Sequence, residues 1–241
     1  MGHVHGLARD PGSGDVLLAT HGGLFRLDPG GPVPVGPVVD LMGFAIAPDG
    51  RYLGSGHPGA GVDLEQPVGL IRSDDMGASW TVLSRAGESD FHALTAAPGV
   101  VAGFDGSLRV GADGSSWQVR TLPAEPHTLA ASPSGDRLLA TTEKGLLASI
   151  DRGASWTRVT APELLVAVTW AEPDTVVGVG VSGRLALSED GGASWTQGER
   201  PVGRATALHA TRTGGQVEVL LVVGDHVVRT LDLGRSLDRL L

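Results

Sequence analysis

A short segment that returns at a fixed interval leaves a chain few folds to choose from. Here the pattern is S-x-D-x-G-x-x-W. It reads SDDMGASW at 73–80, SIDRGASW at 149–156 and SEDGGASW at 188–195, with a shortened copy, GADGSSW, at 111–117. Two worn copies keep the Asp and the Gly: RLDPGGPV at 26–33 and TLDLGRSL at 230–237. The six aspartates are Asp28, Asp75, Asp113, Asp151, Asp190 and Asp232, spaced by 47, 38, 38, 39 and 42 residues. That interval suits a four-stranded β-propeller blade, for which about 40–45 residues is typical. Each copy reads as a turn between the third and fourth strands of a blade. The carboxylate accepts backbone N–H groups, the Gly supplies a left-handed residue, and the Trp fills space against the sheet.

Upstream of each copy three short apolar runs separated by Gly or Pro turns fit three strands. HVHGLARDP, DVLLATH and GLFRLD serve the first unit; DLMGFAIAPDG, RYLGSGH and VGLIRS serve the second. The expectation is an all-β, six-bladed β-propeller occupying 1–241 as a single domain. Its blades fall at about 1–38, 39–86, 87–123, 124–162, 163–201 and 202–241. The 37 glycines and 15 prolines supply the turns, and 41% hydrophobic residues supply the core.

The remaining composition narrows the partners. A net charge of -9 argues against a nucleic-acid surface and against anionic membranes. No apolar run approaches the roughly 18 residues of a membrane span. With no cysteine there are no disulfides, no thiolate metal sites and no cysteine nucleophile. A small-molecule substrate, or a metal donor or acceptor, is the expected partner of a monomer. His3 stands so near the start that a trimmed form of an exported protein, and an extracytoplasmic location, is favoured; a native terminus would mean a cytoplasmic one.

The histidines follow the repeat. Aligning the first strands on GLA (6–8), GFA (43–45), ALT (93–95) and TLA (128–130) puts His5, Met42, His92 and His127 at one homologous position. Two residues earlier, one strand period, stand His3, Asp40, Asp90 and Glu125. Second strands end at His21 and His57. In a propeller the start of the first strand and the end of the second lie at the same mouth. Six of the eight histidines are therefore expected at one opening. Imidazoles ligate copper, zinc, iron and nickel. The metal set is thus His5, His92 and His127, with His3, His21, His57 and Met42 nearby; the thioether tilts the choice to copper, with zinc and iron as alternatives. Asp40, Asp90 and Glu125 are candidates for orienting the imidazoles. A channel mouth can keep an open coordination position, so a copper-dependent oxidoreductase acting on a small molecule is the favoured enzyme class, with a non-catalytic metal-delivery protein as an alternative.

The succession HVHGLA, ATHGGLF, MGF, GSGHP, GLIRSDDMGASW and DFHAL resembles a group of bacterial Asp-box (BNR-repeat) propeller proteins, over nearly the full chain and most specifically over 3–95. These carry labels such as exo-sialidase-like or putative glycosyl hydrolase, and the turn motif is shared with sortilin-like propellers. The resemblance implies a propeller fold and, as an alternative function, a glycoside hydrolase or a carbohydrate-binding protein. Sialidases use an arginine cluster, a tyrosine nucleophile paired with Glu, and an Asp acid/base. This chain has one tyrosine, Tyr52, inside a second strand, and no arginine trio at the histidine positions.

Overall fold

A computed structural model describes residues 3–241. Every regular element in them is a β-strand, and the strands form six antiparallel four-stranded sheets in simple sequence order. The chain is an all-β, six-bladed β-propeller. It divides into two compact units, 1–120 and 121–241, each holding three sheets.

In the first unit, blade one is β1 (Val4–Arg9), β2 (Val16–Thr20), β3 (Gly23–Asp28) and β4 (Gly31–Val35). Blade two is β5 (Val39–Ile46), β6 (Tyr52–Pro58), β7 (Leu70–Ser73) and β8 (Thr81–Ser84). Blade three is β9 (Ala93–Ala97), β10 (Val100–Phe104), β11 (Leu108–Gly111) and β12 (Gln118–Arg120). In the second unit, blade four is β13 (Pro126–Ala131), β14 (Leu138–Thr142), β15 (Gly145–Ser149) and β16 (Thr157–Val159). Blade five is β17 (Leu165–Trp170), β18 (Val176–Gly180), β19 (Arg184–Ser188) and β20 (Thr196–Pro201). Blade six is β21 (Ala205–Thr213), β22 (Gln216–Val223), β23 (His226–Thr230) and β24 (Asp238–Arg239).

Second strands are apolar and small because both of their faces are covered. VLLAT of β2, LLATT of β14 and VVGVG of β18 are buried at every residue. In the first unit, Leu17, Leu24, Leu41, Tyr52 and Ile71 join blades one and two in one core, and Leu53, Leu70, Phe91 and Val101 join blades two and three. In the second unit, Leu139, Leu165 and Val176 join blades four and five, and Val177, Leu185, Val219 and Leu221 join five and six. Each such aliphatic side chain contributes about 1.5–3 kcal/mol through burial.

The repeated aspartate segments lie between third and fourth strands. In four of them one carboxylate makes the same set of bonds. Asp75, Asp151, Asp190 and Asp232 accept the backbone N–H and the hydroxyl of the serine four residues on, at 2.5–2.9 Å. They also accept the hydroxyl of Ser73, Ser149, Ser188 or Thr230, two residues back. Asp113, in the shortened copy, binds Ser115 instead. The first worn copy departs from the expectation. Asp28 ends β3 at a tight hairpin and pairs with Arg26 at 2.8 Å. The reason is local: four residues on stands Pro32, which has neither an N–H nor a hydroxyl to offer, and two residues back stands Arg26 rather than Ser.

First strands share an irregularity that positions the site. The pairing of first with second strand slips by one residue at Val4/Gly6, Leu41/Gly43, Pro126/Thr128, Leu165/Ala167 and Ala205/Ala207. The extra residues are His5, Met42, His127, Val166 and Thr206. In blade three the strand begins at Ala93, directly after His92, whose N–H donates to the Phe104 carbonyl at 3.1 Å. A bulge leaves one residue outside the ladder and re-aims its side chain. The homologous position that carries His5, Met42 and His127 is thus a bulge.

Candidate metal centre

Three imidazoles from blade one meet at the end of its sheet. His3 precedes β1, His5 is the bulge residue of β1, and His21 follows β2. Ring centroids lie 4.6 Å apart for His3 and His5, 4.4 Å for His5 and His21, and 6.1 Å for His3 and His21. One ligating nitrogen from each ring falls within 4.8 Å of the other two. The Nε2 atoms of His5 and His21 are 3.1 Å apart. Two nitrogens at about 2.0–2.1 Å from one ion, at angles near 90–109°, are separated by about 2.9–3.4 Å. The contact is an N–H···N hydrogen bond, and its length also lies within the range for neighbouring ligands on one metal.

His21 is oriented from the next blade. Its Nδ1 lies 2.9 Å from Asp40 Oδ1, at the start of β5. A carboxylate accepts, so Nδ1 carries the ring proton and the Nε2 lone pair faces His5. His5 is held neutral. Burial first, then the neighbouring His21 and His3 rings, bring its pKa down to about 4; Asp40 opposes this and His92 adds to it. Neutral imidazole is the form that binds a metal. His3 and His21 are exposed, so a bound ion would remain open to solvent.

A second group lies between blades two and three. His57, in the end of β6, places Nε2 at 3.1 Å from Asp90 Oδ2, and His92 places its Nε2 at 2.8 Å from the same oxygen. Asp90 Oδ1 and His57 Nδ1 are buried without a hydrogen-bond partner among the described residues. The segment is fixed by Ser55, fully buried in β6, whose Oγ accepts the Phe91 N–H at 2.8 Å. Sequence reasoning passed over Ser55; the signal was a hydroxyl within the otherwise small, apolar run LGSG of the buried part of β6. Asp40 and His57 face each other across β5 and β6. His5, His21, Asp40, His57, Asp90 and His92 therefore form a row across three blades of the first unit.

The remaining expected residues take these places. Met42 is the half-buried bulge residue of β5. Glu125 and His127 are both exposed at the start of β13, in the second unit.

No protein-family model matches the sequence, and no curated protein does. Solved structures do. Ycf48 bound to a D1 peptide aligns over 99% of this chain and 82% of its own, at 18% identity and a TM-score of 0.60. A gluconolactonase from Xanthomonas campestris aligns over 97% and 85%, at 13% identity and a TM-score of 0.69. An ancestral GH74 enzyme aligns over 95% of this chain and 36% of its own, at 15% identity and a TM-score of 0.62. At these identities the likeness is one of fold.

The fold likeness extends to propellers of several activities, so chemistry must come from the site. Tyr52 does not supply a sialidase-type nucleophile. It is 2% exposed, and its hydroxyl donates to Asp10 Oδ2 at 2.6 Å. Burial first, then that carboxylate, push its pKa above the ordinary value of 10. It also opens β6 while His57 lies near the far end, five residues or roughly 17 Å away.

Proposed function

We propose that this protein binds a transition-metal ion through His3, His5 and His21. The 3.1 Å separation of two Nε2 atoms, one of them set by a carboxylate on its other nitrogen, supports this reading most directly. Three neutral nitrogen donors bind Cu(II) ahead of the other divalent first-row ions in the usual order of affinity, so copper is the favoured ion. Zinc is the second choice, because three imidazoles with an open position also suit a water-activating zinc. A copper ion held here would supply redox chemistry on a small molecule, and a zinc ion would supply hydrolysis. In both cases the chain itself presents the imidazoles, keeps His5 unprotonated and fixes the His21 tautomer through Asp40. A delivery role needs the same ligands without a substrate pocket.

The test uses untagged, chelator-stripped protein titrated with Cu(II) and with Zn(II) by calorimetry, with metal analysis after dialysis. Wild type is expected to hold one equivalent at this group, with nitrogen couplings in the copper spin-resonance spectrum. The double variant His5→Ala, His21→Ala, checked for unchanged circular dichroism, is expected to bind that equivalent at least 100-fold more weakly. Equal binding by wild type and double variant would overturn the proposal.

A further inference from the structure

We infer that His92, oriented by Asp90, is a general base that activates water against small acyl esters. The pair uses none of the three imidazoles proposed as metal ligands, so the inference goes beyond that reading and holds for metal-free protein. His92 Nε2 lies 2.8 Å from Asp90 Oδ2. A carboxylate only accepts, so Nε2 carries the ring proton and Nδ1 keeps its lone pair. The side chain is 63% exposed, and a water arriving from solvent can donate to Nδ1. A general base needs its lone pair within one hydrogen bond of the proton it takes, and a water on Nδ1 meets that condition.

The carboxylate is held firmly. Asp90 Oδ1 is buried without a partner among the described residues, so no other donor draws charge away from Oδ2. His57, from blade two, comes within 3.1 Å of Oδ2 and fixes it from the other side. The backbone around the pair is pinned as well. The Pro67 carbonyl accepts the Gly87 N–H at 2.7 Å, Ser55 Oγ accepts the Phe91 N–H at 2.8 Å, and the Phe104 carbonyl accepts the His92 N–H at 3.1 Å. An exposed ion pair adds little stability, so stability alone does not account for a carboxylate set this way. Glu125 and His127 repeat the spacing in blade four, yet both are exposed and no bond joins them among the described residues.

The step balances with water as the only co-reactant. As the water oxygen bonds to the ester carbonyl carbon, one water proton passes to Nδ1. The bond from that carbon to the alcohol oxygen then breaks, and Nδ1 returns the proton to the departing oxygen. Nε2–H stays on Asp90 throughout, and the carboxylate steadies the imidazolium between the two transfers. Acid and alcohol are the products, and the ring ends as it began. Asp90 itself and Asp40, which faces His57 across β5 and β6, favour a neutral ester over an anionic one.

Ethyl dichloroacetate is the probe: its carbonyl is activated while ethoxide leaves poorly, so imidazole acts on it as a base rather than as a nucleophile. Untagged protein is stripped with chelator and assayed in its presence at about pH 8, where imidazole is ordinarily neutral. Acid release is followed by titration. Working without metal separates this test from that of the three-imidazole group. Wild type is expected to hydrolyse the ester with a normal solvent deuterium isotope effect. His92→Ala should lose at least about tenfold of the rate above buffer, together with that isotope effect. Asp90→Ala should lose about fivefold or more, and the His92 Nε2–H resonance, slowed in exchange by its bond to Asp90, should disappear. His127→Ala removes an exposed imidazole at the homologous place and should stay close to wild type. Circular dichroism checks each fold, and His92→Gln or Asp90→Asn replaces a variant that melts early. Equal rates in wild type and His92→Ala overturn the inference. So does a loss in His127→Ala as large as that in His92→Ala. A His92-dependent rate without an isotope effect overturns the general-base role, and a wild-type rate in Asp90→Ala overturns the orienting role of Asp90.

Discussion

At the scale of single residues, the chemistry turns on which nitrogen of each ring is free. Asp40 holds Nδ1 of His21 and so leaves the Nε2 lone pair facing His5, available to the proposed metal. Replacing Asp40 by Asn keeps the shape but weakens that hold and allows the ring to turn. Metal affinity at His3, His5 and His21 should fall about 10- to 100-fold, as loss of an orienting carboxylate commonly causes. Competition against a chromophoric chelator measures it, and an unchanged Kd would show that Asp40 does not orient the ligand. His5 gives a pH prediction. In the metal-free folded protein its ring titrates near 4, against an ordinary value of 6.5. Unfolded chains therefore take up this proton first as the pH drops below 6.5. His5 thus makes stability fall from about pH 6.5 to about pH 4, with no further loss below. Urea unfolding at pH 7, 5.5 and 4 should show a steeper decline for wild type than for His5→Gln, and a ring-carbon resonance should place the His5 midpoint near 4.

At the scale of elements, two devices repeat. One is the aspartate turn. Asp75, Asp151, Asp190 and Asp232 have pKa values held down to about 2, first by the serine hydroxyl four residues on and then by that residue's N–H. A depressed carboxylate stabilises the fold above its ordinary value of 3.8 and loses that contribution as the pH falls through 3.8 toward 2. Asp151→Asn should therefore lower stability at pH 7 and flatten the pH dependence between 4 and 2. Acid titration followed by circular dichroism checks both. The other device is the first-strand bulge and the small residue after it. A Cβ on Gly43 would come to 2.3 Å from the Phe91 carbonyl oxygen, so only glycine allows β5 that close to the segment bearing Asp90 and His92. Gly43→Ala should cost about 1–3 kcal/mol in chemical denaturation, as overpacking does. It should also shift the Phe91 segment that Ser55 holds, visible as a larger change in the His92 ring resonances than in those of His21.

For the molecule as a whole, the polar contacts that pin the blades together are different from those of the proposed metal group. Neighbouring blades are pinned by Tyr52 to Asp10, by the Trp117 indole to Ser84 and by the Trp170 indole to the Ala130 carbonyl. None of these touches the histidine row. Tyr52→Phe leaves the buried Asp10 carboxylate short of a donor and should lower stability by about 1–3 kcal/mol. Metal stoichiometry should stay as in wild type. His21→Ala should show the reverse, with near-normal unfolding and lost binding. The same separation explains what could be read before any coordinates. The repeat interval, the Asp–Gly turn chemistry and the apolar second strands are local patterns with local causes, and they specify the strands and the six four-stranded blades. A failed copy such as Asp28 is equally local, since Pro32 has no N–H to give. The homologous place of His5 and Met42 was legible for the same reason. That it is a bulge was not, because a bulge is a property of two paired strands. Nor could one sequence tell that His21 reaches Asp40 of the next blade, or that His57 and His92 converge on Asp90. Those pairings depend on how far one sheet is offset from its neighbour. Close backbone approaches such as Gly43 to the Phe91 carbonyl set that offset, and only the tertiary structure decides it.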